Sequence, residues 1–312
     1  MKRKLVRRVL WTILILFILA NVIAFMHAYK FTHFTSSSVE RTSNHLALVE
    51  KLKTVFTGVN NPRPINKKKP GRPFETIKIK SNKNLECWLL KADSAKGTVI
   101  LFHGYGGEKS LMLDKAEQFL SLGYNTMLVD FMGSGGSEGN TTTIGFKEAQ
   151  EVKDCYDYLI KNSFQNVSLF GTSMGSVAVM KAIKDFDLKP KSIIIECPFG
   201  SMYKTVCKRF QMQGIPSFPM AGLLVFWGGV ENGFWAFSHN PEEYAKSIHC
   251  PELLMYGEKD QKVSREEINS IFKNLQGNKT LVTYPLAGHE NYLSLYKEKW
   301  TNDVKSFLQD VQ

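Results

Sequence analysis

From Glu75 onward the chain runs in short apolar blocks separated by stretches of helical period. ETIKIK and LECWLL alternate every second residue and predict two paired strands. GTVILF is nearly all apolar, as a strand covered on both faces should be. The same reading gives strands at YNTMLVDF, NVSLFG, KSIIIE, PELLMYG and KTLVTY. Between them the pattern predicts helices over about 110–121, 144–160, 174–184, 265–275 and 292–308. Strands alternating with helices need crossover connections, so the predicted class is α/β with a mostly parallel central sheet flanked by helices. One connection is too long for an ordinary loop. Residues 198–240 hold Phe210, Phe218, Phe226, Trp227, Phe234, Trp235 and Phe237 among glycines and prolines, and read as an inserted cap. A cap over the carboxyl ends of the strands would shape a pocket there.

The amino-terminal pattern is of another kind. Residues 9–28, VLWTILILFILANVIAFMHA, are 20 positions without a charge, enough for one helix to cross a bilayer. The run has no clean small-x-small cleavage site, so an uncleaved anchor is expected over a removed signal peptide. Residues 30–73 are mostly polar with four prolines, Pro62, Pro64, Pro70 and Pro73. They read as a stalk, partly helical over 42–55, followed by an extended linker.

Charge changes the picture in one respect. The net +11 suggests a polyanion partner until its distribution is considered. Lys2, Arg3, Lys4, Arg7 and Arg8 precede the apolar run, and Arg63, Lys67, Lys68, Lys69 and Arg72 lie in the linker. Without these ten the rest of the chain carries +1, so no wide basic face for nucleic acid is expected. The first cluster orients a membrane helix with its amino terminus cytosolic and the remainder on the non-cytosolic side. The five cysteines, Cys87, Cys155, Cys197, Cys207 and Cys250, fit no disulfide or metal framework. Small buried thiols are the simpler reading, with Cys197 and Cys207 the closest pair in sequence. Seven histidines without ligand spacing indicate no metal site.

Candidate chemistry centres on GTSMG, residues 171–175, between a strand and a helix. Glycines flanking a serine at a tight strand-to-helix turn expose the hydroxyl of Ser173 at the tip. The helix that follows aims its positive end at the site. A serine needs a base, and the base an orienting acid. Asp260 follows the strand PELLMYG, and His289 follows KTLVTY within PLAGHE, in the order serine, acid, histidine. Glu196 is the fallback acid, and Asp130 reads as a loop anchor. The oxyanion of acyl transfer would be met by the backbone N–H groups of Met174 and Tyr105, the latter in HGYGG. His103 of that loop is expected to fix it by hydrogen bonding.

HGYGG, DFMGSGGSEG, GTSMG, ECPFGS, GEKD and GHE together resemble the α/β-hydrolase superfamily, in particular its membrane-anchored, serine aminopeptidase-like branch. The resemblance covers residue 75 to the C-terminus. It implies the α/β-hydrolase fold with an inserted cap, a Ser173–His289–Asp260 triad, a backbone oxyanion hole, and no cofactor or metal. Ser176 departs from the glycine or alanine frequent at its position. The expected domains are a transmembrane signal anchor over 1–29, a stalk and linker over 30–73, and the hydrolase domain over 74–312. The expected activity is that of a single-pass, membrane-anchored serine hydrolase acting through an acyl-enzyme. Its substrate would be a small or lipid-like carboxylic ester with an apolar acyl part. A peptidase or acyltransferase with the same triad is the alternative, and a non-catalytic binding protein of this fold is the alternative of another class.

Overall fold

A computed structural model describes residues 2–36, 54 and 56–311. The helix expected over 42–55 lies outside the described residues apart from Thr54. The chain divides into two compact units, Met1–Pro62 with Met202–Ser238, and Arg63–Ser201 with His239–Gln312.

The first unit begins with α1 (Lys2–Thr32), a 31-residue helix whose apolar side chains from Leu5 to Leu19 are exposed all round. Two short strands, β1 (Phe34–Thr35) and β2 (Asn61–Pro62), pair in parallel near its end. Asn61 donates to the Lys30 carbonyl at 2.8 Å, and the Lys30 ammonium donates to Thr57 Oγ1 at 3.1 Å and to Gly58 O at 3.2 Å. The last turn of the helix is thereby tied to the chain that follows it.

The second unit is the α/β body. It contains β3 (Glu75–Lys80), β4 (Asn84–Leu90), β5 (Thr98–Phe102), α2 (Leu113–Ser121), β6 (Asn125–Val129), α3 (Glu148–Lys161), β7 (Val167–Thr172), α4 (Met174–Phe186) and β8 (Ile193–Glu196). The insertion follows with α5 (Met202–Met212) and α6 (Met220–Asn232) of the first unit. The body resumes with α7 (Pro241–Tyr244), β9 (Glu252–Gly257), α8 (Arg265–Asn274), β10 (Lys279–Tyr284), α9 (Tyr292–Leu295) and α10 (Lys297–Asp310). Every strand read from the sequence forms. The eight lie in the order β10-β9-β8-β7-β5-β6-β4-β3, with β4 antiparallel to both its neighbours, β3 and β6, and the other pairs parallel. The central strands are buried on both faces, which is why TVILF shows no alternation. The single helix expected over 292–308 is instead two, α9 and α10, broken at Tyr296.

A buried ionic knot lies just past the end of β6. Asp130 and Lys109 are both fully buried and paired, and Lys109 also reaches Glu86 at 2.9 Å. Asp130 accepts from Lys109 N at 2.7 Å, Gly136 N at 2.7 Å and Asn66 Nδ2 at 2.8 Å. It anchors the loop from Phe131 to Gly139, as its position at a strand end suggested. Arg63 closes that loop from outside by donating to the carbonyls of Gly135, Ser137 and Gly139. The basic segment from Arg63 is therefore docked on the body, whereas its composition suggested an extended, solvated linker. Its guanidinium finds carbonyls that the tight glycine turns leave unpaired.

Removing one partner of a fully buried pair strands the other charge, which costs about 3–5 kcal/mol. Lys109→Met should lower the denaturant midpoint of the protein accordingly, and adding Asp130→Asn should recover part of the loss. An unchanged midpoint in the single variant would show that water reaches the knot.

Candidate active site

The carboxyl ends of β5, β7, β8, β9 and β10 bring the candidate residues together. Ser173 sits between β7 and α4 with φ 52° and ψ −111°, a strained conformation for a residue other than glycine. The strain is held from both sides. A Cβ on Gly171 would lie 2.5 Å from Ser176 N, and one on Gly175 would lie 2.3 Å from Phe102 O. Only glycines let the first turn of α4 sit this close to β7 and β5. Ser176, the departure from the usual pattern, is also built in. Its hydroxyl lies 2.7 Å from Gly171 O and 2.8 Å from Glu196 O, bracing the elbow against two strands.

Three side chains meet at the tip. His289 Nε2 lies 2.9 Å from Ser173 Oγ, and His289 Nδ1 lies 2.7 Å from Asp260 Oδ2. Asp260, just past β9, is buried, and its other oxygen accepts from Lys262 N at 2.7 Å and Val263 N at 3.0 Å. Those two N–H groups and the imidazole hold the carboxylate in one orientation. The arrangement fits an Nδ1–H tautomer, with Nε2 left to accept the serine proton.

Glu196, the fallback acid, points elsewhere. It accepts from Trp300 Nε1 at 2.8 Å and Thr172 Oγ1 at 3.0 Å and pairs with Lys115 at 3.5 Å. Its part is to lock β8 to α10 and α2. His103 is fully buried, with Nδ1 2.8 Å from Gly104 O and Nε2 accepting from Phe131 N at 3.2 Å. Burial pushes its pKa down, the Asp130 charge opposing, so it is neutral and braces the loop after β5. That loop borders the serine, since a Cβ on Gly104 would stand 3.5 Å from Ser173 Cβ. Tyr105 is the next residue of that loop, and Met174 is the first residue of α4. The N–H of Met174 belongs to the first turn of α4, where no intrahelical acceptor exists.

Cys197 is the residue whose place here the sequence did not disclose. It follows β8 with φ 40°, buried, its N–H donating to Met255 O at 3.0 Å. Its sulfur, the His289 ring and the Asp260 carboxylate present ligand atoms within 4.8 Å of one another. Such a trio has the composition of a metal site, yet Nδ1 and Oδ2 are already spent on each other. Burial acts to lower the His289 pKa. The Cys197 sulfur and the Asp260 carboxylate outweigh it and raise the pKa above the ordinary 6.5. Cys197 lies in ECPFGS, one of the segments that carry the resemblance, but that segment gives the thiol no role, so only the fold could reveal this neighbour. All five cysteines are free thiols.

Comparison with known proteins agrees with this architecture. Residues 93–246 match the family model described as serine aminopeptidase, S33. YqkD of Bacillus subtilis is 25% identical over 221 residues, covering 69% of this chain and 72% of that protein. The esterase Pf2001 of Pyrococcus furiosus superposes with a TM-score of 0.69 at 24% identity, over 81% of this chain and 97% of that one. Est1E of Butyrivibrio proteoclasticus, solved with ferulic acid bound, superposes with a TM-score of 0.62 at 21% identity, over 75% and 98%. The eight-stranded sheet and the strand-to-helix serine elbow give the chain the α/β-hydrolase fold, and its residues 93–246 are similar to the serine aminopeptidase, S33 family.

Proposed function

We propose that the protein is a membrane-anchored serine hydrolase that cleaves carboxylic esters through a Ser173–His289–Asp260 triad. The observation that carries this reading is the hydrogen-bond chain Ser173 Oγ–His289–Asp260, at 2.9 and 2.7 Å, ending on a serine held in a strained elbow. Ser173 attacks the ester carbonyl as His289 Nε2 takes its proton. The backbone N–H groups of Met174 and Tyr105 meet the oxyanion. His289 then gives the proton to the departing alcohol. The acyl-enzyme is released by a water that His289 activates, and Asp260 holds the imidazole throughout.

An apolar acyl group suits the aromatic composition of the insertion and an enzyme kept beside lipid. The relatives solved as esterases add weight to ester chemistry. Amide cleavage is the second reading, favoured by the description of the matched family as serine aminopeptidase. Comparing acyl p-nitrophenyl esters with aminoacyl p-nitroanilides separates the two.

The anchor reading rests on α1, whose most apolar window has a mean hydropathy of 2.6. The hydrogen bonds from Lys30 and Asn61 make its C-terminal end part of the folded unit, which favours retention over cleavage. Five basic residues before the run put the amino terminus in the cytosol and the body on the other side. A reporter fused after Gln312 should be active outside the cytosol, and activity inside would reverse this topology.

The intact protein should gain one fluorophosphonate adduct, and Ser173→Ala none. A folded wild type that stays unlabelled would favour a non-catalytic binding protein. Asp260→Asn should lower kcat by about 10,000-fold with little change in fold. The pH dependence carries a sign. A raised His289 pKa keeps the imidazole protonated to higher pH, and only its neutral form accepts the serine proton. The acidic limb of kcat/KM should therefore lie above 6.5, with activity rising as pH rises. Cys197→Ala should move that limb downward. A limb that stays in place would mean the sulfur does not act on the ring.

A further inference from the structure

The insertion carries an apolar surface that the hydrolase chemistry leaves unused. Between Arg209 and Glu242 the one charged residue is Glu231. α6 reads MAGLLVFWGGVEN and is apolar around its circumference. Its Phe226 and Val230 are exposed, as are Ile215 and Phe218 before it and Trp235 after it. In water such a surface is costly and marks a binding face.

The same unit indicates what covers it. α6 packs on α1 at one end of the apolar run. Trp227 Nε1 donates to Asn21 Oδ1 at 3.1 Å, and Phe25 meets the Trp227 ring edge-on at 5.4 Å. Gly228 faces Ala28, and Ala24 and Ala28 are buried. Small residues that let helices approach, with a polar pair bridging them, are how helices associate in lipid. Asn21 otherwise interrupts a charge-free run, and the indole N–H supplies its carbonyl with a donor.

Depth follows from helix geometry. Residues 9–28 span about 30 Å at 1.5 Å per residue, the thickness of a bilayer's hydrocarbon core. Asn21 lies about 10 Å in from the Ala28 end, well inside one leaflet. A helix paired at Asn21, Phe25 and Ala28 shares that depth. At 13 residues α6 is too short to cross, which is the length of an interfacial or half-inserted helix. Aromatic rings continue from this contact to the exposed surface. Trp227–Phe226, Phe226–Trp235 and Trp235–Phe237 have centroids 5.2, 6.5 and 5.0 Å apart. Tryptophan and its aromatic neighbours favour the boundary between headgroup and acyl chain. Glu231, in the last turn of α6, is half-buried, and burial pushes its carboxyl up to about 7, which lowers the cost of an apolar setting.

We propose that α6 and its flanking aromatics are embedded in the bilayer leaflet at the Ala28 end of α1, so that the insertion is a second membrane-bound element paired with the anchor. This rests on the reading of α1 as a transmembrane helix. The hydrolase would then meet its substrate at an acyl-chain surface rather than in bulk water.

Spin labels test it in the full chain, reconstituted in vesicles of phosphatidylcholine and phosphatidylglycerol. Native Cys207 and Cys250 are replaced by serine, and one label is placed at Leu14→Cys, Phe218→Cys, Val230→Cys or Lys305→Cys in turn. Leu14 reports the anchor, and Lys305 is an exposed control on the body. The labels at positions 218 and 230 should be relaxed by oxygen and shielded from a water-soluble nickel chelate, as at position 14 and unlike position 305. Labels at 218 and 230 open to nickel, with 14 shielded, would overturn the proposal and leave the anchor intact. Nickel access at 14 as well would overturn both. The tested side chains are exposed, so their replacement should spare the fold, and an unchanged thermal midpoint checks that.

Discussion

The candidate site depends on how closely α4 can approach the end of β5. The carbonyl of Phe102 occupies the space where any side chain at position 175 would begin. Glycine at 175, with glycine at 171, lets the chain turn from strand to helix within one residue. Ser173 is then forced into a left-handed conformation at the tip. From that follow the outward serine hydroxyl, the α4 amino terminus facing the same space, and the closeness of the Gly104 loop, where an added Cβ would stand 3.5 Å from Ser173 Cβ. Asp260 and His289 arrive from β9 and β10, on separate loops, and need only reach a point the elbow has already defined.

The environment around that point separates titratable groups by function. Glu196 and Asp130, both strand-end acids, are saturated with donors and charges of their own, so neither is free to orient an imidazole. Asp260 has one oxygen committed to backbone N–H groups and one to His289. The two histidines near the elbow are pushed in opposite directions, His103 downward by burial and His289 upward by its partners against burial. One braces a loop as a neutral ring and the other bridges Ser173 and Asp260.

Much of this was legible in the sequence because the signals were local. Strand blocks such as TVILF carry their burial in their composition, and GTSMG carries its turn in its glycines. The order Ser173, Asp260, His289 needed only the strand ends to be located. What escaped was set by contacts between distant segments. Cys197 stands beside His289 because β8 and β10, with β9 between them, end on the same side of the sheet, a placement that the residues around the thiol do not announce. The pairing of Asn21 with Trp227 joins residues some 200 positions apart, so α1 and α6 read as an anchor and a cap with nothing in common. The break at Tyr296 hides in a continuous helical pattern.

The docking of Arg63 and Asn66 has a practical consequence for where the catalytic body begins. A fragment cut at the first strand, near Glu75, would keep all eight strands and every residue of the candidate site. It would also discard the guanidinium that closes the carbonyls of Gly135 and Ser137 and the amide that fills a place on buried Asp130. The glycine-rich loop would then face solvent with unmatched acceptors directly above a buried charge pair. The natural start of this body is Arg63, eleven residues upstream of the residue before β3.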